Sequence, residues 1–275
     1  MKLHLQQPEI KAAVIWKRGE ILAESEHSGE LYPQYSITKS VLALAIGMLL
    51  AEGKLSMTST VGELLGTPKT ALLSDVSLDS LMTMRSGIAA ECLFADRHER
   101  DNYLEACLAQ NIVPARFQYN NADAYLAGRM AEAAAGEALG DFIARRIFSP
   151  LGIVRYAFET DPQGHFFGAS GLQLSTMDLA KLGVSVLSGE LYPSAFLRDA
   201  TRPHTVSKQG KGYGLFFWLH PDYWYMSGKW GQKCVMLPHS RAVIAVNADD
   251  PENRIVPDYI RGTLMAIVHG DSHAV

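Results

Sequence analysis

The sequence is poor in cysteine, and it has no long apolar run and no cluster of like charges. Its three cysteines, Cys92, Cys107 and Cys234, are odd in number and lack C-x-x-C spacing. We therefore expect reduced thiols packed in the core of a cytosolic protein, not a disulfide framework. The longest apolar stretch covers residues 41–51, whereas a helix needs about 20 residues to span a bilayer. The net charge is −4, and the absence of a dense Lys/Arg group argues against a nucleic acid or a membrane surface as partner.

The first ten residues, MKLHLQQPEI, contain no continuous apolar segment. A secretory signal peptide has such a segment of about 7–15 residues after its basic start. We therefore expect no signal peptide and a cytoplasmic location, and a processed mature chain stays open as the alternative.

The order of the predicted elements indicates an α+β fold. Alternating apolar patterns predict a hairpin at residues 11–24 and strands after about residue 212, in YGLFFWLH, YWYMSG, KCVMLP and RAVIAVNA. Helical patterns lie at residues 37–52, 77–88, 121–153 (broken near Gly136 and stopped by Pro150), 175–190 and 257–269. Strands at both ends favour one antiparallel sheet built from both chain ends, flanked by helices, with an inserted helical region. We expect a single unit over residues 1–275, with an α/β part at about 1–60 and 205–275 and a helical part at about 61–204.

Several common catalytic signatures are also missing. The chain contains no GxSxG, HExxH or GxGxxG sequence and no phosphate-binding GxxxxGK loop. Its nine histidines show no metal-ligand spacing, so we treat each of them as a structural or surface residue.

The sequence does place Ser36 and Lys39 at the start of its most apolar helix. A cation in the first turn opposes the helix dipole, at a cost of a few tenths to about 1 kcal/mol. Residues three apart share a helix face, so the hydroxyl and the amine can meet. A lysine in an apolar site favours its neutral form and can take the proton of a serine nucleophile. The alternative is that Ser36 is an N-cap and Lys39 a surface residue, because S-x-x-K alone is a common pattern.

A second candidate is FQYNNADAYLAG, in which Tyr119 and Asn121 precede an Ala-rich helix. In the functional interpretation, the Tyr119 phenol or phenolate relays the serine proton, and Asn121 binds the acyl side chain of a substrate. In the structural interpretation, Asn121 is an N-cap and Tyr119 a core aromatic residue.

The third candidate is YWYMSGKWGQKCVML, where a strand ends in Ser227 and Gly228 and the next strand begins near Gln232. Glycine at positions 228 and 231 allows backbone N–H groups to approach a ligand closely. The structural alternative is a plain hairpin turn.

In this order, S-x-x-K, Y-x-N and a glycine-containing strand motif resemble the serine β-lactamase and penicillin-binding protein superfamily. The resemblance is strongest to the class C-like branch, with its esterases and 6-aminohexanoate-oligomer hydrolases. It extends over nearly the whole chain, because connecting segments also agree with this branch: LAEGKLS (50–56), LMTMRSGI (81–88), YNNADAYLAGRMAEAAAG (119–136), IFSPLGI (147–153) and GASGLQLSTMDLAKLG (168–183).

The resemblance implies a β-lactamase-like fold and an acyl-enzyme mechanism without a metal or organic cofactor. Ser36 would attack an ester or amide carbonyl, and Lys39 and Tyr119 would transfer the protons. The backbone N–H groups of Ser36 and Lys229 would form the oxyanion hole, where one donor typically contributes about 3 kcal/mol. The implied partner is a small-molecule ester, amide or β-lactam, and the sequence carries no signal for the oligomeric state.

The third motif departs from the K-T-G pattern of this superfamily, because Met226 stands in the place of the lysine. From Ser227 to Gln232 the motif agrees better with the A-x-G-x-x-G-Q pattern of the esterases and oligomer hydrolases. A substrate carboxylate would lose a charged partner, so we expect uncharged short-chain esters to be preferred over β-lactams. Lys229 is the open candidate for a substitute cation.

Two other functions stay open. One is a β-lactamase or D-alanyl-D-alanine peptidase, which uses the same chemistry on a charged substrate. The other is a non-catalytic penicillin-binding or sensing protein. The complete set of Ser36, Lys39 and Tyr119 favours catalysis, because a binding protein does not need all three.

Overall fold

The computed structural model describes residues 1–89, 91–93 and 97–270. Its strands in chain order are β1 (Ile10–Lys17), β2 (Glu20–Glu24), β3 (Leu31–Pro33), β4 (Gln173–Ser175), β5 (Thr205–Val206), β6 (Gly212–Tyr213), β7 (Trp218–His220), β8 (Tyr223–Ser227), β9 (Lys233–Leu237) and β10 (Ala242–Ala248). Eight of them form one antiparallel sheet in the order β2–β1–β10–β9–β8–β7–β6–β5, and β3 pairs separately with β4. The first strand thus lies beside the last, which confirms the predicted sheet built from both chain ends.

The helices lie mainly between β3 and β5. They are α1 (Ile37–Ala51), α2 (Val61–Leu65), α3 (Leu78–Met82), α4 (Tyr103–Leu108), α5 (Asn121–Ala135), α6 (Leu139–Ile143), α7 (Thr176–Ser188), α8 (Ser194–Ala200), α9 (Ile255–Tyr259) and α10 (Met265–His269). Short 3₁₀ turns occur at Arg97–Glu99, Ser149–Leu151 and Lys229–Gly231, and π-helical turns at Ala144–Phe148 and Ile260–Leu264. The tail at residues 255–269 is one continuous helical segment, as predicted.

The large sheet has two covered faces, because alternate side chains of a strand point to opposite sides. On β9, Cys234 and Met236 join the core formed with α1, α5 and α7, and we call this side the inner face. Val235 and Leu237 join a second core under the C-terminal helical segment, and we call this side the outer face. Each face therefore has its own apolar cluster.

Helix α1 runs through the core on the inner face. Every residue from 37 to 49 is buried. A helix that is apolar on all sides is typical of one enclosed by the protein. The helix ends before Gly53, which adopts a left-handed φ of 69°, so the predicted helix at residues 37–52 is confirmed.

Two predicted elements are shorter than their sequence patterns indicate. The helix expected at residues 77–88 ends at Met82, and Met84 adopts a left-handed φ of 57°. The strand expected in YGLFFWLH is divided into β6 and β7 around Phe216, whose φ is 59°. Residues 215–217 turn into the core, so their apolar pattern reflects a buried loop and not a strand.

The helical stretch at residues 121–153 has the predicted break at Gly136, which has a φ of 70°. Pro150 does not stop it as expected. The proline lies within a 3₁₀ turn, which tolerates it in the first positions, and the chain leaves the helix at Gly152, with a φ of 63°.

The three cysteines are buried free thiols, which confirms their expected packing role. The Cys92 thiol donates a hydrogen bond to Cys107 Sγ at 3.8 Å, and the two sulfurs are not joined by a disulfide. In the described part of the chain, no helix is long and apolar enough to cross a bilayer.

Candidate active site

Ser36 lies at the N-terminus of α1 in a constrained local conformation. Tyr35, directly before it, has a positive φ of 47°. Thr38 supports this conformation, because its Oγ1 donates a hydrogen bond of 2.6 Å to the Tyr35 carbonyl oxygen. Ser36 occupies the N-cap position, yet its side chain makes no capping hydrogen bond. Its hydroxyl is therefore available to another partner.

That partner is Lys39, which is only 1% exposed. Its Nζ lies 3.1 Å from Ser36 Oγ, 2.8 Å from Asn121 Oδ1 and 2.7 Å from the Ala169 carbonyl oxygen. The amide and carbonyl oxygens can only accept hydrogen bonds, and a neutral amine has two N–H groups and one lone pair. When Lys39 is neutral, Asn121 and Ala169 take both N–H groups and the lone pair faces the Ser36 hydroxyl. The geometry is that of a base poised to accept the serine proton.

The pKa of Lys39 supports this role. Burial lowers it from 10.5 to about 7, while Glu91 and Asp123 oppose the shift by favouring the ammonium. A large fraction of Lys39 is therefore a neutral amine at neutral pH, whereas a solvated lysine would be fully charged.

Tyr119, two residues before the start of α5, lies close to both Ser36 and Lys39. Its ring stacks on Trp218 at a centroid distance of 5.6 Å, and the Lys39 Nζ lies 5.0 Å from the ring centroid. Burial raises the pKa of Tyr119 to about 12, hydrogen bonding with Ser36 opposes this, and Glu91 adds to it. Although 36% of the residue is exposed, its hydroxyl is protonated at neutral pH. Tyr119 can therefore donate a proton, and Lys39 is the better base.

The structural interpretation made Asn121 the N-cap of α5, and this is wrong. Asn121 is the first residue of the helix. Asn120 caps the helix by accepting a hydrogen bond of 2.7 Å from the Asp123 N–H. The Nδ2 of Asn121 donates to the Leu93 carbonyl oxygen at 2.8 Å. This contact turns Oδ1 towards Lys39, so Asn121 holds the lysine in place.

These groups open into a cavity of about 620 Å³. Four predicted site residues line it: Ser36, Tyr119, Asn121 and Lys229. Within residues 1–89, 91–93 and 97–270, no group of three or more His, Cys, Asp or Glu side chains is arranged to bind a metal.

Three charged residues on the cavity wall were missed by sequence reasoning: Glu91, Arg97 and Glu159. Arg97 forms a bidentate pair with Glu159, with Nε–Oε1 and Nη2–Oε2 distances of 2.9 and 3.1 Å. Glu91 accepts a hydrogen bond of 2.5 Å from the Asn121 N–H. Together with Lys229, the described part of the wall carries two cations and two carboxylates, whose formal charges cancel.

Gly228 and Gln232 support the cavity from behind. A Cβ atom on Gly228 would lie 2.3 Å from the Gln34 carbonyl oxygen, so only glycine fits beside the segment that leads to the nucleophile. Gln232 is 2% exposed; its Oε1 accepts from Asn247 at 2.8 Å and its Nε2 donates to the Ala248 carbonyl oxygen at 2.7 Å. Asn247 also donates to Gln34 at 3.3 Å. Gln232 thus links the start of β9 to β10 and, through Asn247, to the segment before Ser36. It does not line the cavity.

Ser227 is not brought to this cavity. Met226 is fully buried on the inner face, and alternation along β8 therefore turns Ser227 to the outer face. There its Oγ accepts a hydrogen bond of 2.6 Å from Lys233 Nζ. The strand register, which the sequence alone did not fix, decides this placement.

A family profile described as Beta-lactamase matches residues 11–262. A protein assigned as a 6-aminohexanoate-dimer hydrolase from Bacillus anthracis has a TM-score of 0.85 and 17% identity, over 95% of this chain and 79% of that chain. The octameric penicillin-binding protein homologue from Pyrococcus abyssi has a TM-score of 0.78 and 21% identity, over 93% and 73% of the two chains. A D-stereospecific amidohydrolase from Streptomyces sp. has a TM-score of 0.71 and 18% identity, over 90% and 92%. No curated protein sequence matches the chain. At these identities the structures share its fold.

Proposed function

The chain belongs to the β-lactamase family, and from this premise we propose that it is a serine hydrolase that acts through an acyl-enzyme on small esters or amides. The observation that carries the proposal is the contact between Ser36 Oγ and the buried Nζ of Lys39, at 3.1 Å. The lowered pKa of Lys39, about 7, lets this amine accept a proton at neutral pH.

In the first half of the reaction, Ser36 Oγ attacks the substrate carbonyl carbon and its proton passes to Lys39 Nζ. The negative charge on the carbonyl oxygen would be stabilised by the backbone N–H groups of Ser36 and Lys229, which both line the cavity. The bond to the leaving group then breaks, and the leaving oxygen or nitrogen takes a proton from the Tyr119 hydroxyl, which Lys39 restores.

In the second half, water attacks the acyl carbon. Lys39 takes one proton of the water and the Ser36 oxygen leaves with a proton returned from the same amine, so a free acid is released and the resting site is restored. Tyr119 is protonated at neutral pH because burial raises its pKa to about 12, which fits a relay and not a permanent phenolate base.

The proposed substrates have short, uncharged acyl groups. Met226 is buried on the inner face and brings no charge to the cavity. Among the described residues of the wall, the cations Arg97 and Lys229 face two carboxylates, and Arg97 is paired bidentately with Glu159. A charge-assisted hydrogen bond contributes roughly 1.5–3 kcal/mol, or about ten- to a hundredfold in selectivity. A substrate carboxylate would gain this contribution only by displacing the wall carboxylates from Arg97 or Lys229.

One observation favours a second candidate, a β-lactamase or D-alanyl-D-alanine peptidase. Lys229 lines the cavity beside the predicted oxyanion hole and could bind a substrate carboxylate there. This candidate requires the same Ser36 chemistry and differs only in the recognised group.

The experiment compares kcat/KM for p-nitrophenyl acetate and butyrate with kcat/KM for nitrocefin and benzylpenicillin on one preparation. The Ser36→Ala variant of the same preparation gives the background rate. We expect ester turnover that depends on Ser36 and little or no β-lactam turnover. Higher efficiency on the β-lactams would favour the second candidate, and a Lys229→Met variant would then test the substitute cation. Slow acylation by penicillin without release would indicate a binding or sensing protein.

A further inference from the structure

A second cavity, of about 350 Å³, lies on the outer face of the sheet beneath the C-terminal helical segment. Its strand residues Tyr225, Ser227, Lys233 and Val235 point outward from β8 and β9, away from Ser36. Trp218 lies between the two cavities, because its ring lines this one and stacks on Tyr119 of the other. Its size is at the lower end of the range for small-molecule sites. No step of the proposed reaction uses it.

Lys233 forms the inner end of this cavity and is only 7% exposed. One of its three N–H groups reaches Ser227 Oγ at 2.6 Å. Among the described residues, no carboxylate lies within 4.0 Å of its Nζ, so the buried ammonium has no ion-pair partner. Burial of a charge without a counter-ion is costly, and an anionic ligand would remove that cost.

The charge around Lys233 is positive. Lys211 and Arg261 also line the cavity, and none of the Asp or Glu residues that the structure describes does. Arg261 contacts Asp258 at 2.5 Å, but this carboxylate lies outside the lining. Burial lowers the pKa of Lys233 to about 8, Lys211 adds to the shift, and Asp250 opposes it. The Lys211 ammonium is thus close enough to Lys233 to lower its pKa.

The remaining walls combine aromatic rings on β7 and β8 with aliphatic side chains, among them Leu219, Val235 and Ile260. Trp218 and Tyr225 both line the cavity and are nearly parallel, with ring centroids 6.5 Å apart and planes at 20°. Tyr223 lies beside Tyr225, with ring centroids 6.0 Å apart. Rings on one side and buried positive charge at the end form a pocket for a flat ligand that carries an anion.

We propose that this cavity is a second ligand site, which binds a small aromatic carboxylate. The carboxylate lies against Lys233 Nζ and the Ser227 hydroxyl, and the ring lies along Tyr225 and Trp218. Lys211 contributes positive charge at the entrance. The site does not depend on the chemistry at Ser36.

Isothermal titration calorimetry with benzoate tests the proposal, and benzamide serves as the uncharged analogue. We expect one benzoate per chain and at least tenfold weaker binding of benzamide. Lys233→Met keeps an unbranched apolar stem, removes the ammonium, and should weaken benzoate binding at least tenfold. Lys211→Met should weaken it severalfold, and Ser36→Ala should leave it unchanged.

Failure of the wild-type chain to bind benzoate overturns the proposal, as does benzamide binding as tightly as benzoate. Undiminished binding to Lys233→Met overturns it too, and loss of binding in Ser36→Ala would place the ligand in the other cavity. If Lys233→Met does not fold, the Lys211→Met variant decides, because Lys211 is exposed at the rim of the cavity. An unchanged benzoate affinity of Lys211→Met would then overturn the proposal. Inorganic phosphate binding as tightly as benzoate would contradict recognition of the ring.

Discussion

The ring of Tyr35 meets the ring of Trp230 edge to face, with centroids 5.4 Å apart and planes at 70°. Both residues have left-handed backbone conformations, with φ of 47° and 61°. Tyr35 directly precedes Ser36, and Trp230 directly follows Lys229. Non-glycine residues in this region store backbone strain, which persists only where the surroundings impose it and which clusters at functional sites. The contact holds together the two segments that would form the oxyanion hole.

Replacement of Lys39 tests the base. Lys39→Ala removes the amine that faces Ser36 Oγ, and a positioned base contributes about 10²- to 10⁴-fold. Because the two residues act as a unit, the loss in ester kcat/KM should approach that of Ser36→Ala. Lys181→Ala is the matched control, since this lysine pairs with Asp178 on the surface of α7. Near-wild-type turnover of Lys39→Ala at neutral pH would refute the role.

The pH dependence of ester hydrolysis should report the pKa of Lys39. The neutral amine is the active form, so kcat/KM should rise with pH through about 7 and level off above it. Glu91 favours the ammonium, so Glu91→Gln should move the rising limb to lower pH while its side chain can still accept from the Asn121 N–H. If the rising limb of Glu91→Gln stays at the wild-type pH or moves to higher pH, Glu91 does not raise the pKa of Lys39 as assigned.

Removal of the Tyr119 hydroxyl should cost less than removal of the Lys39 amine. Tyr119→Phe keeps the ring that stacks on Trp218 and deletes only the proton relay, for which we expect a loss of about 10²-fold in kcat. Tyr225→Phe, on the outer face, is the control and should be nearly unchanged. A Tyr119→Phe loss as large as that of Lys39→Ala would indicate that the phenol oxygen is the main base.

Asp123 should make stability depend on pH. Burial raises its pKa from 3.8 to about 7, while hydrogen bonds with Ser86 and Asn120 oppose the shift. Its Oδ2 has no hydrogen-bond partner among the residues that the structure describes. A raised folded-state pKa gives a stabilising contribution that is complete below about 3.8 and lost as pH rises through about 7. Urea unfolding should therefore show the wild-type free energy of unfolding falling relative to that of Asp123→Asn between these values. Parallel curves for the two proteins would contradict the raised pKa.

The sequence predicted what short-range patterns determine. The β1–β2 hairpin follows from alternation around a Gly turn, and α1 follows from its apolar run and its Gly53 end. The Ser36–Lys39 contact follows from helical spacing, because three residues bring two side chains to one face.

Long-range placement could not be obtained in the same way. Ser227 faces the outer side because of the register between β8 and β9, and a shift of one residue would reverse it. Glu91 and Glu159 come from irregular segments and Arg97 from a single 3₁₀ turn, none of which carries a motif, and only the folded chain brings them to one cavity. The division of the chain near residues 60 and 205 stays a prediction.

The most direct test of Ser36 as the nucleophile is covalent labelling with a fluorophosphonate, followed by intact mass and peptide mapping. The wild-type chain should gain one adduct, located on Ser36, because the Lys39 amine activates this hydroxyl alone. Ser36→Ala should gain none. An adduct on another residue, or equal labelling of Ser36→Ala, would contradict the assignment of Ser36 and with it the acyl-enzyme mechanism.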